Sequence, residues 1–182
     1  KLVSEGTTQG VHNRYKCRTR KPWFAIQRIG DPPDGFLGYL IKRHLRCSAN
    51  MARAQSTNNV HRVYLSKEWK KDRGSVFTSW RNPITMLSAE LAGSFYGGGV
   101  LKLELGAMKN IVVPDPRHIK PLPIEKIDKA LRKGDHSEIP IMEKEMARIL
   151  QLPEKIVQNT TRAAEYLRDI RLGIRPASEG VE

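Results

Sequence analysis

Apolar residues along this chain follow two rhythms. Some short runs repeat every second residue and some longer ones every third to fourth, and each change of rhythm marks a predicted element. Residues 14–29 read as a strand, with Pro22 at an edge or bulge because it cannot donate a ladder hydrogen bond. GDPPDG then turns the chain. Asp34 is placed to cap a helix over the following residues, in which Phe36, Leu37, Leu40, Ile41 and Leu45 recur at helical spacing and Lys42, Arg43 and Arg46 stay outside. SANMARAQSTNN is small and polar, a loop, and it feeds VHRVYL, whose alternation and β-branched content predict a strand. Asn82 and Pro83 form a helix start, cap then first-turn proline, followed by a core-facing stripe of Ile84, Leu87, Leu91 and Phe95 that ends at Gly97, Gly98 and Gly99. VLKLEL alternates Leu101, Leu103 and Leu105 on one face, and IVVP closes this part as a short strand.

From residue 114 the pattern changes. PDPRHIKPLP carries four prolines in ten residues and predicts a connector over 114–123. Beyond it every period is helical. The stripes are Ile124, Ile127 and Leu131; then Met142, Met146, Ile149 and Leu150; then Ile156, Ala163, Leu167 and Ile170 after Pro153. Glu125 with Lys129, and Asp128 with Arg132, add i,i+4 ion pairs on solvated faces. The expected organisation is a mixed strand and helix module over 1–113, the connector, and a helical appendage over 124–182, an α+β fold.

Composition narrows the class. With 182 residues, 39% of them apolar, the chain can bury a core. No run approaches the roughly 20 apolar residues that cross a bilayer, and no basic amphipathic helix has a broad apolar face, so a membrane role is not expected. KLVSEGTTQG is no signal segment, and a chain that begins on Lys1 without a Met reads as part of a larger protein. Cys17 and Cys47 give neither a disulfide framework nor a metal knuckle, and point to reduced thiols and a cytoplasmic setting.

Charge changes the picture most. The net charge is +13, but residues 1–113 hold 19 Lys/Arg against 7 Asp/Glu, whereas residues 114–182 hold 13 against 12. A basic part followed by a balanced one suggests a nucleic-acid face. Within YKCRTRKPWF, an extended backbone sets Lys16, Arg18 and Arg20 on one side, with Lys21, Trp23 and Phe24 close by and no acid between Glu5 and Asp31. A solvated edge strand also carries charge, but it needs one or two cations and not a row of them. The loop around Arg53, Gln55, Ser56, Thr57, Asn58 and Asn59 offers amides with the donor and acceptor pair that adenine presents, beside His61 and Arg62; the same residue types also form turns.

Other motifs are weaker. Gly97 to Gly99 lack the Gly-Lys-Ser/Thr of a phosphate cradle and read as a tight turn. His136, Ser137 and Glu138 match half of a zinc deaminase signature, without its paired cysteines. A Mg²⁺ nuclease could be built on Asp34, Glu68 and Lys70, although Asp34 also serves as a cap.

Taken in order, YKCRTRKPWF, PDGFLGYL, the polar loop entering TNNVHRVYL, and LSAELAGSFYGGGVLKLELGAMKNIVVP span about residues 13–114. This succession resembles the C-terminal target-recognition region of adenine-N6 DNA methyltransferases from bacterial restriction-modification systems. The resemblance implies a module that clamps duplex DNA against a methyltransferase catalytic domain, in cis or in trans, and helps hold DNA from which an adenine is flipped. Those enzymes use an Asn-Pro-Pro-aromatic tetrad and a glycine-rich loop for S-adenosylmethionine. Here Asn82 and Pro83 are followed by Ile84 and Thr85, so catalysis and the cofactor are expected in the parent enzyme, and no catalytic, cofactor or metal residue in this chain. Lys16, Arg18, Arg20 and Trp23 fall in the first matching block, Asn58, His61 and Arg62 in the second, and Gly97 to Gly99 in the third. Their chemistry makes Lys16, Arg18, Arg20, Lys21, Trp23, Arg53, Gln55, Thr57, Asn58, His61 and Arg62 the expected DNA contacts. A non-enzymatic RNA-binding protein and, behind it, the nuclease are the alternatives.

Overall fold

The computed structural model describes residues 1–25, 30–119 and 139–174, and the chain divides into two compact units, Lys1–Pro32 and Pro33–Glu182. The first unit contains α1 (Leu2–Thr8), a 3-10 turn (Val11–Asn13) and α2 (Tyr15–Arg18). The strand expected from residue 14 is therefore a single helical turn, in which the amides of Cys17 and Arg18 donate to the Arg14 carbonyl at 2.8 and 3.0 Å. The physical reason is local. Alternating cations offer a sheet no apolar face to bury, while a helical turn satisfies its amides without a partner strand. The apolar anchor is Trp23, which packs edge-on to Phe24 at 5.7 Å and against His12 at 6.2 Å, and a Cβ added to Gly6 would lie 2.8 Å from its ring. Residues 26–29 of the expected strand lie outside the described residues.

The second unit is built on two three-stranded antiparallel sheets. The first has the order β3 (Cys47–Ala49), β1 (Gly35–Gly38), β4 (Val60–Val63); the second has the order β2 (Leu40–Ile41), β6 (Val100–Lys102), β5 (Ser94–Tyr96). The helix expected from Asp34 to Arg46 is instead β1, β2 and the approach to β3. Its burial alternates with a strand period, Gly35 and Leu37 inward and Phe36 and Gly38 half-exposed. Glycines at 35 and 38 weaken a helix, and Gly35 also permits a close approach, since a Cβ there would meet the Phe77 ring at 2.2 Å and the Ser48 carbonyl at 2.6 Å. Asp34 caps no helix. Its Oδ2 accepts from the Leu65 amide at 2.8 Å, and its carbonyl accepts from Asn50 N at 2.8 Å and Arg73 Nη2 at 2.7 Å, which fastens the ends of all three strands.

The strand expected in VHRVYL is β4. Behind the sheets lie α3 (Arg73–Ser79) and α4 (Pro83–Ala92), and the start of α4 matches the expectation. Asn82 Oδ1 accepts from Thr85 N at 3.0 Å while Nδ2 donates to the Ser79 carbonyl at 2.6 Å, a cap worth about 1 kcal/mol. The buried face differs from the expected stripe: Thr85 and Ala89 point inward, while Leu91 and Phe95 are exposed. The helix stops at Ala92, before the glycine run, because Gly93 is pressed against Leu101 and the chain must turn there into β5. Leu101 and Leu103 are buried as the alternation predicts; Leu105 is exposed and opens α5 (Leu105–Met108). IVVP forms no strand, since Thr85 Oγ1 donates to the Val112 carbonyl and Ser88 Oγ accepts its amide, both at 2.8 Å, so side chains of α4 take the place of a partner strand.

The helical expectation for the C-terminal part holds in α6 (Ile139–Leu150) and α7 (Glu154–Arg171). Met142, Met146 and Ala147 pack with Ile119 and Val157 as a second core. In α7 the inward face is Val157, Ala164 and Arg171, and Ile156 and Ile170 of the expected stripe are about half exposed, because α7 lies along α4 through the adjacent face. The stripe Ile124, Ile127 and Leu131, both i,i+4 pairs, His136 to Glu138 and connector residues 120–123 lie outside the described residues. Of the connector, Pro116–His118 forms a 3-10 turn capped by Asp115, whose carboxyl is held down to about 2 by its hydrogen bonds from Arg117. No described helix is long and apolar enough to cross a membrane.

Candidate nucleic-acid interface

The register of the first sheet separates its two faces. Phe36 stands opposite Ser48 on one side and Arg62 on the other, and Gly38 stands opposite Val60, so these residues share the face turned away from buried Leu37 and Cys47. This outward face floors a concavity of about 720 Å³. One wall is the segment from β2 to β3, carrying Lys42, Arg43, His44 and Arg46; the other is the polar loop, carrying Gln55, Ser56 and Asn59. Among the described residues no acid lines it. Lys42, Arg43, Arg46 and Arg62 are exposed, and among the described residues no carboxylate forms an ion pair with any of them. Lys102 is the contrast: Glu104 sits 2.6 Å from its ammonium, and that hydrogen bond, with a second to Tyr39, pushes its pKa up to about 12. Its charge is neutralised within the chain, whereas no ion pair among the described residues takes up the charges of Lys42, Arg43 and Arg46.

The expected contacts divide among three places. Lys16, Arg18, Arg20, Lys21 and Trp23 belong to the first unit; Lys16 and Arg18 stand about 200° apart around a helical turn, so they form no row. The indole of Trp23 is half-buried and packs against Gly6, His12 and Phe24. In the second unit, Gln55 lines the concavity and Arg62 lies at its floor's edge, whereas Arg53, Thr57 and Asn58 are exposed outside its lining. Arg53 has φ 50°, a left-handed turn conformation uncommon for a residue with a Cβ. His61 points to the other face. Its Nε2 donates to the Leu103 carbonyl at 2.6 Å and its ring meets Tyr39 edge-on at 5.2 Å, which joins the two sheets. Asn59, in the loop that the sequence singled out, lines the concavity, and Lys42, Arg43 and Arg46 are the residues that sequence reasoning left out of the site. The signal was the cluster KRHLR itself, and assignment to a helix concealed where it points.

Two resemblances to catalytic motifs dissolve in the geometry. Asn82 is 1% exposed and both ends of its amide are engaged in capping, so Asn82 and Pro83 cannot face an adenine. Gly97 to Gly99 turn β5 into β6, and no helix opens after them, so the strand-loop-helix cradle that S-adenosylmethionine needs is not built here. Of the nuclease residues, Asp34 is fixed as a backbone anchor, and among the described residues no group of three or more His, Cys, Asp and Glu could hold a metal.

Fold and concavity together define an α+β domain with a basic recess on one sheet face. Residues 1–150 match the family described as Type II methyltransferase M.Eco57I, C-terminal domain, and the chain belongs to that family. The resemblance to a methyltransferase C-terminal region, read over residues 13–114, is thereby borne out and extends on both sides, through α6. Searches of curated proteins and of solved structures return no match.

Proposed function

We propose that this chain is the DNA-recognition portion of an adenine-N6 methyltransferase of a bacterial restriction-modification system. It holds duplex DNA for base flipping into a catalytic domain, in cis or in trans, that carries S-adenosylmethionine and all the chemistry. One observation carries this reading: Lys42, Arg43 and Arg46 line a concavity with no acid among its described lining residues, opposite the amides of Gln55 and Asn59, and Arg62 stands beside Phe36 of its floor. Guanidinium and ammonium groups at a rim suit phosphate oxygens, and amides on the facing wall suit base edges. About 720 Å³ falls within the roughly 300–1,000 Å³ typical of small-ligand sites, so it receives a backbone or base-edge segment of a duplex lying across it. Lys16, Arg18, Arg20 and Lys21 of the first unit add charge that draws any duplex, whatever its sequence.

The test is fluorescence anisotropy of labelled duplex DNA with the 182-residue chain between 50 and 200 mM salt. Affinity falls steeply with salt. In the triple variant Lys42→Ala, Arg43→Ala, Arg46→Ala, the slope of log K against log salt shrinks by about 0.9 for each phosphate that is no longer neutralised, up to about three phosphates. A wild-type slope near zero, or an unchanged slope in the variant, removes the reading. Displacement of the duplex by structured RNA at equal concentration moves it to RNA.

A further inference from the structure

A buried charge of the second unit lies far from the recess in sequence. Arg171, in the last turn of α7 and beyond the family match, has a side chain 1% exposed. Its Nε and Nη2 form a fork on the Glu90 carboxylate, at 2.9 Å to Oε2 and 2.7 Å to Oε1. Its Nη1 donates to the carbonyls of Lys42 at 3.0 Å and Gly99 at 2.5 Å, with the Ile41 carbonyl at 3.4 Å. One guanidinium thus joins α4, the end of β2 and the β5–β6 turn. Ile41 and Lys42 are the residues where the chain leaves β2 to become the basic wall. Gly99, at φ 72°, completes the fit: a Cβ there would sit 2.8 Å from the Arg171 carbonyl oxygen.

We propose that Arg171 is the positioning residue of the DNA-binding recess. By anchoring the carbonyls at 41 and 42 it fixes the direction in which Lys42 and Arg43 present their charges. It touches no DNA and acts only through this wall. The inference rests on the proposed function, since it assigns α7 a part in that same site. Arginine is required because the task needs a planar fork for the carboxylate and two further donors for carbonyls; a lysine ammonium has three donors and no fork. An exposed Arg could not serve in this way. Buried and fully directed, it transmits the position of α7 to the wall.

The experiment uses the whole chain in two variants, Arg171→Lys and the double variant Glu90→Leu, Arg171→Leu. The second removes both charges together, so that neither is left buried alone. Circular dichroism and thermal unfolding establish folding; where the double variant does not fold, Arg171→Lys decides. Amide hydrogen exchange reads the wall without DNA, and binding reads its use. Expected is faster exchange confined to residues 41–46, a roughly ten-fold loss of duplex affinity and a salt slope smaller by about one to two, as Lys42 and Arg43 lose their register with phosphates. A folded variant with unchanged exchange at 41–46 overturns the proposal. So does faster exchange with wild-type affinity and slope. A wild-type chain that binds no DNA fails at the proposed function itself, which this inference needs, while exchange still reports whether Arg171 holds the wall.

Discussion

Two short stretches of this chain are equally rich in cations and differ in everything else. YKCRTRKPWF carries its charges on a helical turn and the bend after it, within the first unit; YLIKRHLR carries them from the end of β2 along the rim of a recess in the second. The first has the more regular spacing, and the second has the geometry. The difference teaches that density of charge is a property of sequence, whereas convergence of charge depends on which distant strands pair. Lys42 to Arg46 become a wall because β1 pairs with β3 on one side and with β4 on the other, which sets the polar loop opposite them. Nothing local supplies that. The cations of the first stretch turn around a helix and meet no opposing wall among the described residues of their unit.

The strongest way to break this comparison is to ask whether the recess that the second stretch borders is truly floored by a sheet. In a strand, neighbours Phe36 and Leu37 face opposite ways, and Leu37 is 0% exposed among Ile41, Phe77 and Leu101. Leu37→Ala is expected to cost about 2–5 kcal/mol in urea unfolding, while Phe36→Ala, on the recess floor, costs clearly less and weakens duplex binding instead. Equal stability losses for the two would mean that they share one face, and the recess would lose its floor.

A smaller effect sharpens the contrast between the basic stretches themselves. The triple variant Lys16→Ala, Arg18→Ala, Arg20→Ala removes as many cations as the wall variant does. It is expected to lower affinity for every duplex alike, by about ten-fold at low salt, and to leave the ratio of cognate to non-cognate binding unchanged. Neutralising the wall lowers that ratio as well, because its cations hold the duplex in the register at which the amides of Gln55 and Asn59 opposite them meet base edges. Selection of target sequence from a random-duplex pool makes both measurements at once, and a collapse of discrimination in the first variant would exchange the roles of the two stretches.

Much of the fold was legible where the signal is local. Asn82 followed by Pro83 names its own helix start, because a side-chain cap and a fixed φ act within four residues. Leu101 and Leu103 name their strand by alternation, and Met142 and Met146 their helix face by spacing. Phe36, Leu37, Leu40, Ile41 and Leu45 misled because their intervals fit a helix about as well as two strands meeting at a corner. What decided for strands was Gly35 against Phe77 and Ser48, a contact across the fold. The candidate site inherits the same division. Gln55 and Arg62 were visible as polar and basic residues near a strand, but His61 looked identical in sequence and faces the other way, since one step along a strand reverses the side chain. Arg171 carried no signal at all: a basic residue in the last turn of a helix reads as an ordinary solvated end.

The finest test of the comparison uses the two cysteines, one in each unit. Cys17 is partly exposed on α2 of the first, and Cys47 is 2% exposed on β3 of the second. Burial pushes the Cys47 thiol from an ordinary 9.0 up to about 12, only partly offset by the nearby Arg81 guanidinium. The thiolate is the reactive species, so at pH 8 a chromogenic disulfide reagent should titrate one thiol in the folded chain and a second only in denaturant. The sign of the accompanying pH dependence follows from the same shift. Below pH 9 both folded and unfolded thiols keep their protons and stability is unaffected; as pH rises towards 12 the unfolded thiol ionises first, and the folded state loses ground. Between pH 8 and pH 10 the wild type should lose on the order of 1 kcal/mol more than Cys47→Ala in urea unfolding, because the variant retains every other titrating group. Prompt labelling of two thiols in the native chain, or equal pH dependence in the two proteins, would mean that β3 is open to solvent. The sheet whose outer face floors the recess would then be less firmly built than the helical turn to which it is compared.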